Sequence, residues 1–164
     1  MSPLGHFSIG FFAKKYGYKL NIFLLLFASF FIDTVYYISN ALGGEIEGKL
    51  SYSHNFLSAV IFSIFFYGIA MLISHSHKLS YVLGLVVFSH WALDFLVWDN
   101  LSWLPRSPQN IGLGFYTWLG IDTSNVEFNL AALFTTVLEV TMLTIGVLVF
   151  IKARKRHKKL QMAA

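Results

Sequence analysis

Ser89-His90-Trp91-Ala92-Leu93-Asp94 sets an imidazole and a carboxylate four residues apart, inside the apolar run from Leu79 to Trp98. On a helix that spacing is about one turn, so both groups share a face. Two further acids stand alone in apolar runs, Asp33 between Asn21 and Leu42 and Glu139 between Leu130 and Ile151. His54 opens another run, and His6 lies in the short apolar stretch from residue 3 to 13. Ionisable groups in such surroundings are costly and mark functional sites with partners. The chain has no cysteine. A metal would therefore rest on His, Asp and Glu, a donor set suited to zinc or to manganese and iron.

The elements that carry these residues follow from hydropathy. Of 164 residues 56% are hydrophobic and only 12% charged, where an ordinary soluble domain has about a quarter charged. The sequence predicts an all-α integral membrane protein with four transmembrane helices, at about 21–42, 54–74, 79–98 and 130–151, and a short N-terminal half-helix. Each run approaches the ~20 residues that a bilayer needs. Residues 1–151 form one membrane domain, with an outer loop at 99–129, and 152–164 form a basic tail. The linker from Gly43 to Ser53 carries Glu45, Glu47 and Lys49, and His75-Ser76-His77-Lys78 reads as a tight connection. The first long run lacks a small-residue cleavage site, so no cleavable signal is expected. With both ends on one side, ten of the twelve basic residues fall there, leaving Lys49 and Arg106 opposite. Both termini are therefore expected in the cytoplasm.

Depth follows from counting along each helix from the cytoplasmic basic residues at ~1.5 Å per residue. Asp33 comes out roughly 21 Å above Lys19, His90 and Asp94 roughly 18 and 24 Å above Lys78, and Glu139 roughly 20 Å from Lys152. His54 sits at the outer rim of the same layer, and His6 reaches it from below if residues 3–13 point into the bundle. Three carboxylates cannot all ionise there without cations. Histidines in a purely structural network would neutralise them, and so would a divalent metal. The convergence of six groups of metal-ligand type favours the metal.

The ordered set resembles the YdjM-like family of bacterial membrane-bound metal-dependent hydrolases. The residues that carry the likeness are His6 with Gly10, Asp33, Ser53-His54, Ser89-His90 with Asp94, Gly112-Leu113-Gly114-Phe115, and Glu139. Their order is also similar to that of the zinc ligands of phospholipase C and P1-type nucleases. The resemblance implies a site of His6, Asp33, His54, His90, Asp94 and Glu139 holding one to three divalent ions, with zinc foremost. It also implies an inner-membrane location. Close members place a histidine four residues after the aspartate, where this chain has Trp98 followed by Asp99. Either Asp99 replaces that ligand or one metal position is lost. Asn55 stands where a serine often follows the second-span histidine.

The chemistry implied is hydrolysis of a lipid or lipid-linked phosphoester, with Asp33 or Glu139 orienting or deprotonating the water. Ser53 and Ser89 read as hydrogen-bonding supports rather than nucleophiles. Trp103, Phe115, Tyr116 and Trp118 suit the membrane interface, as an anchor or as a lid over the site. The basic tail would attract anionic lipid headgroups. Without interleaved aromatics it offers little to nucleic acid. The rival reading is a non-catalytic metal-binding or scaffold protein. Transport fits poorly, since Phe23–Ala28 and Gly146–Phe150 leave the inner half of the bundle apolar.

Overall fold

The computed structural model describes residues 3–42, 52–105, 107, 109–120 and 130–162. These residues form six helices: α1 (Pro3–Ala13), α2 (Ile22–Ala41), α3 (Phe56–Ser74), α4 (His77–Val97), α5 (Phe115–Trp118) and α6 (Leu130–Met162). Four of them, α2, α3, α4 and the 133–159 part of α6, are long and apolar enough to cross a membrane. The predicted acidic linker with Glu45, Glu47 and Lys49 lies outside the described residues, as do Arg106 and residues 121–129.

Capping residues set the helix starts. Asn21 accepts a hydrogen bond from the Phe23 amide at 2.8 Å and begins α2. Asn55 accepts from the Ser58 amide at 2.9 Å and begins α3. Each satisfies an amide that the first helical turn leaves unpaired. The third span starts at His77, not Leu79, because His75 closes α3 in the left-handed region (φ 49°) and turns the chain at once. His77, expected as loop, is the first residue of α4, with its Nδ1 2.6 Å from the Tyr67 hydroxyl. The last helix does not stop at 151. It runs through the basic stretch to Met162, as the helix-favouring Lys, Arg, Leu and Gln residues there permit.

The short helix α1 is central to the bundle. It packs on α2, α4 and α6, while α3 packs chiefly on α4. Among the described residues, α6 packs chiefly on α1, and α4 and α6 do not pack on each other. The α1–α6 contact needs Gly146, where a Cβ would lie 2.5 Å from the Ser8 carbonyl oxygen. Small residues that let two backbones approach are a usual device of membrane helix packing. Leu25, Ala28 and Ile32 of α2 and Leu83 and Val87 of α4 are fully enclosed. At one end of the bundle Tyr18 stacks on His157 of α6, ring centroids 4.3 Å apart. This brings the Lys14–Lys19 turn and the basic end of α6 together.

Candidate metal centre

Five of the six expected ligands converge from four directions. α1 brings His6, α2 brings Asp33, the residue before the α3 cap brings His54, and α4 brings His90 and Asp94. His6, His90 and Asp94 are buried to within 2% of complete enclosure. His90 Nε2 lies 3.4 Å from Asp33 Oδ1 and 3.2 Å from Asp94 Oδ2. His54 Nε2 lies 3.0 and 3.7 Å from the same two oxygens. On the other side of Asp94, Oδ1 is 3.4 Å from His6 Nε2. The His6 ring stacks on that of His90 with centroids 3.6 Å apart. Two trios, His6/Asp33/His90 and His54/His90/Asp94, each bring three ligand atoms within 4.8 Å of one another. These buried His and Asp groups could hold a metal ion.

The tautomer of His90 follows from its second nitrogen. Nδ1 is 2.9 Å from the Ser29 carbonyl oxygen in the interior of α2. A carbonyl only accepts, so Nδ1 carries the proton and donates. In the neutral ring Nε2 is then a lone pair, aimed between two carboxylates. Neither of its contacts has hydrogen-bond geometry, and both nitrogens of His6 also lack hydrogen-bond partners. Buried polar atoms are nearly always satisfied, and a lone pair facing carboxylates calls for a cation between them. An Nδ1–H to backbone carbonyl bond is also the usual way a ligating histidine is oriented. For His54 the anchor is the Ser53 hydroxyl, 2.9 Å from Nδ1.

The loop after α4 holds His54 in place. The first α3 amides, of Phe56 and Leu57, donate to the carbonyls of Ser102 and Trp103 at 3.0 and 3.1 Å. Asn55, at the position where a serine was the expectation, is fully buried and also donates to the Tyr52 carbonyl at 2.7 Å. Its amide thus ties the turn before α3 to the first turn of the helix. Farther on, residues 111–114 cross the end of α4. The Leu113 amide donates to Phe95 O at 2.7 Å and that of Gly114 to Trp98 O at 3.3 Å. Gly112 permits this crossing, since a Cβ there would stand 1.8 Å from Trp98 O.

Glu139 is placed differently from the expectation. It is buried on α6, but neither ligand trio includes it, and its Oε1 accepts the Tyr116 hydroxyl at 2.9 Å. Tyr116 is correspondingly not an interfacial side chain: it is buried on α5, unlike its neighbours Phe115 and Trp118. Burial first, and then the Glu139 carboxylate beside it, raise the Tyr116 pKa well above the ordinary phenol value. The hydroxyl stays a donor. The sequence signal for this residue was the Gly112-Leu113-Gly114 turn that delivers the following aromatics. Asp99 accepts a hydrogen bond from the Thr117 hydroxyl at 3.0 Å and belongs to neither trio, and Trp98 packs edge-on against Tyr116. The Ser89 hydroxyl donates to Val86 O of its own helix at 2.7 Å, so the hydroxyl beside the imidazoles is that of Ser53.

Comparison of the chain with protein-family models, with curated proteins and with solved structures finds no match.

Proposed function

We propose that this protein is a membrane-embedded, zinc-dependent hydrolase of phosphoesters presented by the bilayer. The observation that carries the reading is Nε2 of His90, held by the Ser29 carbonyl contact between Asp33 and Asp94 with no hydrogen bond of its own. The spacing supports the choice of metal. Zinc with N and O ligands at about 2.0–2.1 Å in a tetrahedron has ligand–ligand edges of about 3.3–3.4 Å. The N···O separations of Asp94 from His54 and His90, 3.7 and 3.2 Å, bracket that value.

His54, His90 and Asp94, whose ligand atoms lie within 4.8 Å of one another, would hold one ion and leave room on it for a water. Since Nδ1 of His90 is committed to Ser29, that ring serves one ion only. Asp94 Oδ2 faces His54 and His90 while Oδ1 faces His6, so His6 and Asp94 would help to hold a second ion. Bound there, a divalent ion acidifies a water towards a pKa of ~7 and polarises a phosphoryl oxygen. Ser53 keeps His54 in register through either tautomer. It donates to Nδ1 when Nε2 is protonated and accepts from Nδ1–H when Nε2 offers its lone pair. Asp33, less deeply buried than Asp94, would orient the attacking water. Glu139, which accepts the single hydroxyl proton of Tyr116, would fix the orientation of that side chain. The resemblance to YdjM-like hydrolases supports the same chemistry, and the basic residues at one end of the bundle support cytoplasmic termini in a bacterial inner membrane, with the basic end of α6 against anionic headgroups.

The test is elemental analysis of detergent-purified protein beside His90→Ala and Asp94→Ala, with hydrolysis of lipid phosphoesters followed before and after chelation. Stoichiometric zinc lost in both variants and activity abolished by chelator are expected. Wild-type protein without bound transition metal after zinc loading would overturn the reading.

A further inference from the structure

The spanning helices α4 and α6 pack on α1 and, among the described residues, not on each other, and they leave a groove open towards the lipid. The groove is a cavity of about 480 Å³, within the ~300–1,000 Å³ range of small-molecule sites. Its walls are Leu96 and Val97 of α4 and Leu138 and Met142 of α6, and its roof is Leu113 and Trp118. Leu96, Leu113, Leu138 and Trp118 are exposed, and they sit on or beside membrane-crossing helices, so the groove is continuous with the lipid-facing surface of the bundle. Its three sides also carry the buried polar residues. Asp94 is three residues before Val97, Glu139 adjoins Leu138, and Tyr116 lies between the roof residues Leu113 and Trp118. The elements that wall the apolar groove thus also carry Asp94, Tyr116 and Glu139.

We propose that this groove receives one hydrocarbon chain of a bilayer lipid, so that the attached headgroup is held beside the helices that carry Asp94, Tyr116 and Glu139. The inference rests on the hydrolase reading for what happens to the headgroup, but the seat itself is independent of catalysis. A hydrocarbon chain suits it on two counts. The walls named above carry no charged side chain, which disfavours a polar ligand, and the open side faces the bilayer, where acyl chains are at the highest concentration. Trp118, the most exposed roof residue at 79%, would lie along the chain at the level where aromatic side chains meet headgroups.

Full-length protein carrying p-benzoylphenylalanine in place of Leu96 is reconstituted in nanodiscs of palmitoyl-oleoyl phosphatidylglycerol, irradiated and weighed intact. The control carries the same group at Leu57, which is about as exposed (41% against 49%) and as close to the matching end of its helix. Expected is a one-lipid adduct at position 96 in several-fold higher yield than at 57. Filling the groove with Met142→Trp, or with Leu113→Trp should the first variant misfold, is expected to cut the yield at 96 several-fold and leave that at 57 unchanged. Equal yields at the two positions, or a cross-linked second copy of the chain at 96, would overturn the proposal. Zinc content measured on the same samples reports separately on the hydrolase reading, because adduct formation needs neither metal nor turnover.

Discussion

Asp94→Asn separates a metal centre from a proton-sharing network, because the two assign opposite signs to the same change. In a network, protonated His54 or His90 would pair with the Asp94 oxygens 3.7 and 3.2 Å away. Removing one partner of a buried ion pair costs about 3–5 kcal/mol, so the variant would be destabilised with or without metal. In a metal centre, the ion-free protein holds two carboxylates facing a lone pair, and Asp94→Asn removes one of these charges. Its ion-free stability should be unchanged or higher. Zinc at a hundred times its Kd stabilises the wild type by about 2.7 kcal/mol, and a hundredfold weaker site at the same concentration retains about 0.4 kcal/mol. At about 2–4 °C per kcal/mol for a chain of this size, the wild type gains roughly 5–10 °C and the variant about 1 °C. Intrinsic tryptophan fluorescence during thermal unfolding in nanodiscs, with chelator and with zinc, reads both numbers. A wild type indifferent to zinc beside a variant destabilised in chelator would refute the metal reading.

Ser53→Ala removes the hydroxyl that orients His54 and should weaken zinc binding about 10–100-fold while leaving ion-free thermal stability close to wild type, as competition with a zinc indicator would record. Gly146→Ala forces a Cβ to within 2.5 Å of the Ser8 carbonyl; overpacking of this kind costs about 1–3 kcal/mol. It also pushes α1 away, so the zinc-to-protein ratio should fall if His6 ligates a second ion. Tyr116→Phe deprives Glu139 of a donor and should lower stability by about 1–3 kcal/mol with zinc content intact. Zinc lost in that variant would mean that Glu139 is itself a ligand.

The sequence by itself determined the all-helical class and four helices long and apolar enough to cross a membrane. Hydropathy runs and basic flanks are one-dimensional signals, and a fixed rise per residue converts position into depth. Asp33, His90 and Asp94 were legible for that reason, because ionisable groups in separate apolar runs at one depth need partners, in a structural network or around a metal. His6 was legible only conditionally, since an eleven-residue helix cannot span, and its value depends on neighbours that bury it. Rotation about each helix axis was not legible. Each residue turns the direction of a side chain by about 100°, so residues at one depth can face different ways, and packing decides which do. Thus Glu139 shares the layer yet pairs with Tyr116, and Tyr116, which composition assigns to the interface, is drawn in by the glycine turn over α4. The tertiary structure alone supplies the carbonyl of Ser29 that fixes His90, because that contact joins residues 61 positions apart. It alone shows the groove between α4 and α6, two helices that pack on α1 and, among the described residues, not on each other.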